Sequence, residues 1–328
     1  MADKKDGIVV YRRALSPVLE IFRIAPADGS KFPRYQAGQY MALSRDNCRL
    51  TKKIGGEGGE RQYAYDRDEA GNIRRGNVTH SYSIASAPHE TEQEGYIEFY
   101  VGLEVVVLEL PGRLTESLFQ VDPESDNRLQ YVDKISGSFT VDARGADARN
   151  IVLVATGTGL APFISMLKQL HHDAARGVRD KRRYTLIHSN RTLPELGYHE
   201  ELLAIERAQK IDFAYVPSVS RPSAADLQNP DLGKGRANNI LRLTMGMKMK
   251  EERSPVRNIN TEELGRDTAA QNGSGTLPVL PRRHSGESLR ERIGGGQSVI
   301  MTCGNPLAMD DIRYIAAENG IRFEMEEW

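Results

Sequence analysis

Two stretches of the sequence combine residue types that suit nucleotide chemistry. The first, IVLVATGTGLAPF at residues 151–163, is an apolar run followed by two glycines and a helix-like continuation. Gly157 and Gly159 would let the backbone approach a phosphate or a ribose closely. They match the first two glycines of G-x-G-x-x-G, whereas Pro162 stands at the third position, where it suits the first turn of a helix. The spacing alone fits a nucleotide-binding loop and a plain strand–turn–helix connection equally well.

The second stretch, VIMTCGNP at residues 299–306, places a thiol where a strand should end. The apolar strand is expected to end at Cys303 and Gly304, before a helix that starts at Asn305 and Pro306. Ligands of an open parallel sheet bind at the carboxyl ends of its strands, so Cys303 would share that edge with the two-glycine loop. Two interpretations stay open, a thiol that takes part in a ligand site and a small buried cysteine.

The elements that must position these residues fall into two groups. Up to about residue 145, short runs rich in β-branched and aromatic residues are separated by Gly, Pro, Asn and Asp, which favours an antiparallel barrel or sandwich. From Ile151 onwards, apolar strands alternate with helices, which predicts a parallel α/β sheet. The fold class is therefore predicted to be β + α/β, with domains at residues 1–146 and 147–328.

Two charged stretches fit neither domain. Residues 49–78 are rich in glycine and charge, and they predict an extended hairpin that turns at EAGN, residues 69–72. Residues 245–296 contain few apolar side chains, so we expect an insertion that is mobile over much of its length.

The overall composition excludes several classes of protein. Of the 328 residues, 39% are hydrophobic and 27% are charged, and a formal net charge of -1 gives no global attraction to nucleic acid or to an acidic membrane. Two cysteines are too few for a disulfide framework or a four-thiolate iron–sulfur cluster, and no metal site is predicted. No apolar run approaches the roughly 20 residues that span a membrane, and the N-terminus lacks the apolar core of a signal peptide. We therefore expect a cytoplasmic protein.

Five motifs follow one another along the chain in a recognisable order. They are HSYSIASAP at 80–88, GRLTESLF at 112–119, GTGLAPF at 157–163, CGNP at 303–306 and an aromatic last residue. In this combination the sequence resembles the ferredoxin–NADP reductase family, and YVPSVSRP at 215–222 with the Gly235-Arg236 pair is most similar to the bacterial members. The resemblance implies an N-terminal antiparallel β-barrel that binds FAD, followed by a Rossmann-like parallel-sheet domain that binds NADP(H).

The resemblance also implies which barrel residues hold the flavin. Tyr82 would stack on the flavin ring, and Ser83 would form a hydrogen bond near flavin N5. His80 departs from the family, whose arginine there faces the FAD pyrophosphate. FAD would then be held less firmly, unless Arg34 or Arg113 compensates. The implied flavin contacts are His80, Tyr82, Ser83, Tyr100, Val101, Gly112, Arg113, Leu114, Thr115 and Trp328.

In the second domain the resemblance implies a site for the nicotinamide nucleotide. Cys303 would stand beside the nicotinamide as a positioning residue. Ser220, Arg221 and Arg236 match positions that grip the 2′-phosphate of NADP in bacterial relatives. Arg191 is a further cation of this kind. The implied NADP contacts are Thr156, Gly157, Thr158, Gly159, Pro162, Arg191, Ser220, Arg221, Arg236, Cys303 and Gly304, and the implied catalytic residues are Tyr82, Ser83, Cys303, Trp328 and an acidic residue at Glu326 or Glu327.

Taken together, the resemblance implies an FAD-dependent oxidoreductase that works by hydride transfer at flavin N5. It would move electrons between NADPH and a one-electron carrier protein, a ferredoxin or a flavodoxin. One alternative is the reductase component of an oxygenase system or a free-flavin reductase. Another is a non-catalytic module that binds a nucleotide.

Overall fold

Two six-stranded sheets organise the residues that this computed structural model describes, which are 3–54, 62–103, 110–250 and 277–326. The strands of the first sheet pair antiparallel and those of the second pair parallel. The β + α/β fold predicted from the sequence is therefore confirmed. The exact residue at which one domain passes into the other stays a prediction.

The antiparallel sheet closes into a barrel. Its strands are β1 (Lys4–Ser16), β2 (Leu19–Pro26), β3 (Tyr40–Arg49), β6 (Arg75–Ser83), β7 (Ile97–Gly102) and β8 (Arg128–Ser136), in the order β6-β3-β8-β1-β2-β7. A bridge between Ile84 and Phe99 joins the two edge strands β6 and β7. Apolar side chains such as Met41, Leu43 and Phe99 fill the interior, because alternate residues of each strand point inward. The helices of this part are α1 (Pro88–Glu94), α2 (Arg113–Phe119) and α3 (Val141–Arg144).

Between strands β3 and β6 of the barrel, the charged stretch at residues 49–78 forms a further pair of strands outside the barrel sheet. β4 (Thr51–Ile54) pairs antiparallel with β5 (Gln62–Tyr65). A second turn follows, in which the Asp68 backbone N–H donates to the Asn72 carbonyl at 2.9 Å, and Gly71 adopts the left-handed conformation with a φ of 86°. The turn expected at residues 69–72 is thus confirmed. Residues 55–61, between β4 and β5, lie outside the described residues.

The parallel sheet has the order β12-β11-β10-β9-β13-β14. Its strands are β9 (Asn150–Thr156), β10 (Arg183–Asn190), β11 (Asp212–Val219), β12 (Gly233–Lys234), β13 (Ser298–Cys303) and β14 (Arg322–Met325). Its helices are α4 (Ala161–Ala175), α5 (His199–Ala208), α6 (Ala224–Gln228), α7 (Ala237–Met245), α8 (Gly286–Ile293) and α9 (Pro306–Glu318).

Helices cover both faces of this sheet. In the central strand β9, Ile151 and Leu153 pack in the apolar layer that contains α4 and α5. Val152 and Val154 face the opposite way and pack with α7, α8 and α9. The continuous apolar run of β9 therefore reflects a strand buried on both faces. The order of strands also brings the carboxyl ends of β9 and β13 side by side.

Part of the expected insertion at residues 245–296 belongs to the α/β layer. Helix α8 buries Leu289 and Ile293 against that layer, and Val279 forms a β-bridge with Lys234. At the other end, the Lys250 backbone N–H donates to the Asn239 side chain at 3.0 Å. The expected mobility of the rest falls on residues 251–276, which lie outside the described residues.

Helix α4 fastens the parallel sheet to the barrel. The Ser165 hydroxyl donates to the Ser86 carbonyl at 2.6 Å. Lys168, only 6% exposed, reaches Glu90 at 3.2 Å and Glu98 at 3.5 Å. These contacts fix how the two sheets face one another, and with it the width of the space between them. Over the described ranges, no helix has both the length and the apolar character needed to cross a bilayer.

Candidate active site

A cleft of about 670 Å³ opens between the ends of barrel strands β6 and β7 and the carboxyl edge of the parallel sheet. This is the edge at which open parallel sheets bind their ligands. Both halves of the chain contribute to its walls. The barrel supplies Ser81, Tyr82, Ser83, Tyr100, Val101, Gly102 and Thr115, and the α/β half supplies Thr156, Gly157, Thr158, Gly159, Ala161, Ser189, Asn190, Arg191, Ser220, Arg221, Arg236, Gly304, Asn305 and Ala308.

Strand β6 carries an aromatic ring and a hydroxyl to the barrel side of the cleft. Tyr82 is half-buried, and its ring packs edge-on against Phe99 with 6.4 Å between centroids. Ser83 is buried beside it at the end of the strand. The bridge from Ile84 to Phe99 immediately follows, so closure of the barrel fixes this end of β6. The cleft thus has a flat apolar surface next to a hydrogen-bonding group.

Helix α2 reaches the cleft through one residue only. Thr115 lines the cleft, and its hydroxyl donates to the Gly112 carbonyl at 3.1 Å. Gly112 is the N-cap of the helix, and Leu114 is buried in the barrel core. Arg113 is half-buried and does not line the cleft. Of the four residues expected to contact the flavin cofactor here, Gly112–Thr115, the structure therefore brings Thr115 to the cleft.

The two-glycine loop forms a short 3-10 turn at Gly157–Leu160 before helix α4 begins. A Cβ atom on Gly159 would lie 2.1 Å from the Cys303 carbonyl oxygen, so only glycine allows the ends of β9 and β13 to meet this closely. Gly157 has a φ of 57° and faces open space. Pro162 is buried in the first turn of α4 and does not line the cleft. The glycines thus serve strand packing as well as an open binding surface.

Three polar side chains from distant parts of the chain meet beneath the wall of this cleft, where only Ser83 among them lines it. The Ser83 hydroxyl donates to Glu326 Oε2 at 3.1 Å, and the Cys303 thiol donates to the same oxygen at 3.5 Å. The backbone N–H of Glu326 donates to the Thr302 carbonyl, so the pairing with β13 continues one residue beyond the end of β14. Glu326 is 3% exposed, and its Oε1 has no hydrogen-bond partner among the described residues.

Burial determines the protonation of this cluster. Burial raises the pKa of Glu326 to about 7, against the opposing hydrogen bonds from Ser83 and Cys303. Burial also raises the pKa of the Cys303 thiol well above its usual range, and the neighbouring Glu326 carboxylate raises it further. The thiol therefore stays protonated and acts as a hydrogen-bond donor, not as a nucleophile. Among the described residues, no group of three or more His, Cys, Asp or Glu side chains could hold a metal ion.

Three arginines from separate loops line the far end of the cleft. Arg191 is held by two contacts to Glu195, at 3.0 Å from Nε and 2.9 Å from Nη2. Arg221 is exposed, and its backbone N–H donates to the Arg191 carbonyl at 2.8 Å. Arg236 is half-buried at the N-cap of α7. Ser220 also lines this end. The arrangement gives the cleft a cationic end suited to a phosphate.

Several predicted site residues do not reach the cleft. His80 is exposed and absent from its walls. Arg34, one of its two expected substitutes, is 93% exposed on its side chain and pairs at 3.8 Å with Glu92. Cys303 lies beneath the wall through its contact with Glu326, while its neighbour Gly304 lines the cleft. The predictions for Glu327 and Trp328 fall on residues that lie outside the described ones.

Sequence reasoning missed other residues that line the cleft. Ser189 and Asn190 end strand β10, and Asn305 and Ala308 follow strand β13. A signal for all four was present, since each lies at or just past the carboxyl end of a parallel strand.

Comparisons with known proteins agree with this arrangement. The family model of the oxidoreductase NAD-binding domain matches residues 153–242. A flavodoxin/ferredoxin–NADP reductase of Shigella flexneri is 26% identical over 191 residues, which are 58% of this chain and 70% of that protein.

Solved structures share the whole fold. A ferredoxin NADP+ reductase from Neisseria gonorrhoeae, solved with bound FAD and NADP, is 17% identical and covers 99% of both chains with a TM-score of 0.59. The FAD/NAD-binding domain of a nitric oxide dioxygenase from Vibrio cholerae is 16% identical and covers 99% of this chain and 98% of that one, with a TM-score of 0.59. Fold, cleft and family match together define a two-domain oxidoreductase of the nucleotide-binding class. Within that class this chain is similar to the ferredoxin–NADP reductases in sequence and in fold, which confirms the resemblance carried by the five motifs.

Proposed function

We propose that this chain is an FAD-dependent oxidoreductase that moves electrons between NADPH and a one-electron carrier protein, a ferredoxin or a flavodoxin. The observation that carries the proposal is the hydrogen bond from Ser83, which lines a cleft shared by a barrel and a parallel sheet, to Glu326, which also accepts from Cys303. The names of the relatives support the same class of reaction.

The barrel wall of the cleft has the donor set that a flavin requires. Tyr82 offers a ring surface for stacking, and the Ser83 hydroxyl lies beside it. Behind Ser83, the Oε1 atom of Glu326 is a buried acceptor without a hydrogen-bond partner among the described residues. Thr115, which lines the cleft, would contact the diphosphate. Neither of the two expected substitutes for the family arginine at His80, Arg34 and Arg113, lines the cleft. When bound, FAD supplies the redox chemistry, since it accepts a hydride and passes electrons on singly.

The α/β wall fits the nicotinamide nucleotide. The loop at residues 156–159 presents backbone and threonine hydroxyls to the cleft without bulky side chains. At the far end, Arg221 and Arg236 would bind the 2′-phosphate of NADPH by charge-assisted hydrogen bonds, with Ser220 beside them. Arg191 pairs with Glu195 through Nε and Nη2, so its Nη1 would be the group that donates to the phosphate.

The chain's own residues would control protons and water at the reacting end. Glu326, with a pKa of about 7, holds or releases a proton close to neutral pH. Ser83 and Cys303 orient its carboxyl group by donating to the same oxygen. All three side chains are buried, so water has little access to the cluster itself. The cluster would therefore position two rings and supply a proton acceptor in a dry environment.

An anaerobic titration tests the enzyme claim and the cofactor preference together. The purified protein is expected to be yellow, and NADPH should bleach its flavin spectrum faster than NADH does. The double variant Arg221→Ala/Arg236→Ala should lower kcat/KM for NADPH roughly tenfold to a hundredfold, because it loses hydrogen bonds to a charged phosphate, and should leave NADH almost unaffected. Arg207→Ala, an exposed arginine of α5, is the matched control and should change neither. Absence of bleaching by either nucleotide would overturn the proposal, and equal rates would overturn the role of the arginines.

The nature of the electron acceptor is tested separately. NADPH-dependent reduction is compared with a ferredoxin, a flavodoxin and free FMN as acceptors. Faster reduction of the carrier proteins supports the proposal. Rapid reduction of free FMN alone would make the chain a free-flavin reductase, and activity that needs an oxygenase partner would place it in an oxygenase system. A cytoplasmic location also remains a prediction, which cell fractionation checks.

A further inference from the structure

Tyr100 links the two walls of the cleft through its hydroxyl group. Tyr100 lines the barrel wall at strand β7, yet its hydroxyl donates at 2.9 Å to the carbonyl of Glu195, which follows the opposite-wall residues Asn190 and Arg191 in the chain. The hydroxyl oxygen of Tyr100 in turn accepts hydrogen bonds from Asn190 Nδ2 at 3.3 Å and from the Gly197 backbone N–H at 3.4 Å. The phenol of one barrel residue therefore anchors residues 190–197, which we call the 190–197 loop.

The 190–197 loop carries Arg191, one of the three arginines at the cationic end of the cleft. Glu195, whose carbonyl the Tyr100 hydroxyl holds, clamps Arg191 with both carboxylate oxygens. The Arg191 carbonyl in turn accepts the backbone N–H of Arg221. The positions of two of the three arginines thus depend on the loop that Tyr100 holds. Because an arginine already fixed in place loses less side-chain freedom on binding, such anchoring strengthens a phosphate contact.

The fit between ring and loop is close on both sides. A Cβ atom on Gly197 would lie 2.8 Å from the Tyr100 ring, so the loop can lie against the ring only because residue 197 is glycine. Burial raises the pKa of Tyr100 well above its usual range, which keeps the hydroxyl protonated as a donor. The Tyr198 ring packs edge-on against Tyr100 with centroids 5.7 Å apart and limits its movement.

We propose that Tyr100 is a positioning residue that sets the preference of the cleft for 2′-phosphorylated adenosine nucleotides by holding the 190–197 loop and its arginine from the opposite wall. The proposal rests on the function proposed above, since it assigns the 2′-phosphate to the arginine end. It goes further in making a flavin-side residue responsible for selectivity on the nicotinamide-nucleotide side.

Calorimetric titration of the flavin-loaded protein with two probes tests this directly. The probes are adenosine 2′,5′-bisphosphate and adenosine 5′-monophosphate, which differ only in the 2′-phosphate. Tyr100→Phe removes the hydroxyl and keeps the ring. It should weaken binding of the bisphosphate roughly three- to tenfold, the range for a lost hydrogen bond, and leave binding of the monophosphate within about twofold. A purely structural role would weaken both probes alike.

Tyr35→Phe is the matched control. Tyr35 is also a tyrosine whose hydroxyl is bonded inside the protein, to Ser86 and to Thr91 at 2.8 Å, and it lies away from the 190–197 loop. This variant should leave the ratio of the two affinities unchanged.

Gly197→Ala approaches the same contact from the other wall, because its Cβ would displace the Tyr100 ring. It should lower the affinity ratio in the same direction, and the effects of Tyr100→Phe and Gly197→Ala should combine less than additively. If Tyr100→Phe does not fold, Gly197→Ala alone decides the question.

Each outcome separates the two proposals. An unchanged affinity ratio in a folded Tyr100→Phe or Gly197→Ala variant overturns the role of Tyr100 and leaves the proposed function standing. If the unaltered protein binds the bisphosphate no more tightly than the monophosphate, the cleft has no selectivity to set, and both the role of Tyr100 and the NADPH preference fall.

Discussion

At the scale of single residues, Glu326 is the group whose burial has the clearest consequence. Its folded-state pKa of about 7 lies above the ordinary value of 4.5. A carboxyl with a raised pKa contributes stability that is complete below about pH 4.5 and is lost as the pH rises through about 7. Between pH 5 and pH 8, we expect this one group to lower the free energy of unfolding by about 2–3 kcal/mol.

Glu326→Gln removes that pH dependence while keeping the shape of the side chain. The free energy of unfolding is measured in urea at pH 5 and at pH 8. Its decrease between these two pH values should be smaller in the variant than in the unaltered protein, by about 2–3 kcal/mol. Glu318→Gln, an exposed carboxylate on α9, should follow the unaltered protein. A variant whose stability changes with pH just as the unaltered protein's does would show that Glu326 is ionised in the folded state well below pH 7.

The residues of this cluster show what the sequence could and could not predict. Ser83 and Cys303 lie in ordered motifs, so the resemblance identified them. The acidic partner stayed open between Glu326 and Glu327, because a shift of one residue in a terminal strand turns a side chain to the other face. Tyr100 was expected on the flavin alone, since its bonds to Glu195 and Asn190 join residues about a hundred positions apart.

At the scale of elements, the two glycines of the GTG loop have different physical reasons. Gly159 is fixed by the approach of two strand ends, because its Cβ would meet the Cys303 carbonyl oxygen at 2.1 Å. Gly157 has open space around it and is constrained only by its positive φ. One glycine therefore belongs to packing and the other to backbone conformation.

Alanine substitutions should separate these two causes. Gly159→Ala should lower the free energy of unfolding by about 3 kcal/mol, because backbone must move to make room. Gly157→Ala should cost about 1–2 kcal/mol, the strain of a left-handed alanine, with β9 and β13 undisturbed. Urea unfolding gives both values. Equal losses in the two variants would mean that the ends of β9 and β13 can move apart at little cost.

Most elements could be predicted because their apolar periodicity is strong. Strand β9 and helix α4 are the clearest, since one is apolar throughout and the other has a buried face. Helix α8 was missed, because only Leu289 and Ile293 are buried in a charged segment. Its N-cap, Ser285, whose side chain accepts from the Ser288 backbone, was the available signal.

At the scale of the whole molecule, the cleft exists because two sheets are held at a fixed separation. Lys168 is central to this, since it lies between Glu90 and Glu98 of the barrel part and Glu201 of helix α5 at 3.6 Å. Buried charges of this kind are stable only as a paired set. Such pairings join residues from distant parts of the sequence. The fold of each half could therefore be predicted from the sequence, whereas the orientation of the two halves could not.

The residues on either side of 251–276 are described, and they show where this segment joins the rest of the chain. On one side, Lys250 is bonded to Asn239 of helix α7. On the other side, Pro278 lies close to Gly235, because a Cβ atom built on Gly235 would be 3.2 Å from the Cα and Cβ atoms of Pro278. Gly235 directly precedes Arg236, which lines the cleft. Residue 278 therefore lies next to the arginine end of the cleft, and residue 250 lies against the helix that Arg236 caps.

We expect deletion of residues 251–276, with a short Gly/Ser linker between Lys250 and Leu277, to preserve the fold and to weaken NADPH binding. KM for NADPH should rise roughly three- to tenfold with kcat unchanged, as when one or two hydrogen bonds common to ground and transition state are lost. Steady-state kinetics with ferricyanide as acceptor measure this without a carrier protein.

A variant with a Gly/Ser segment of the original length is the control. It should match the deletion if side chains of the segment contact the nucleotide, and it should match the unaltered protein if only chain length matters. A rate that falls with ferredoxin but not with ferricyanide would move the role of the segment to carrier docking. Unchanged kinetics with both acceptors would remove it from the reaction altogether.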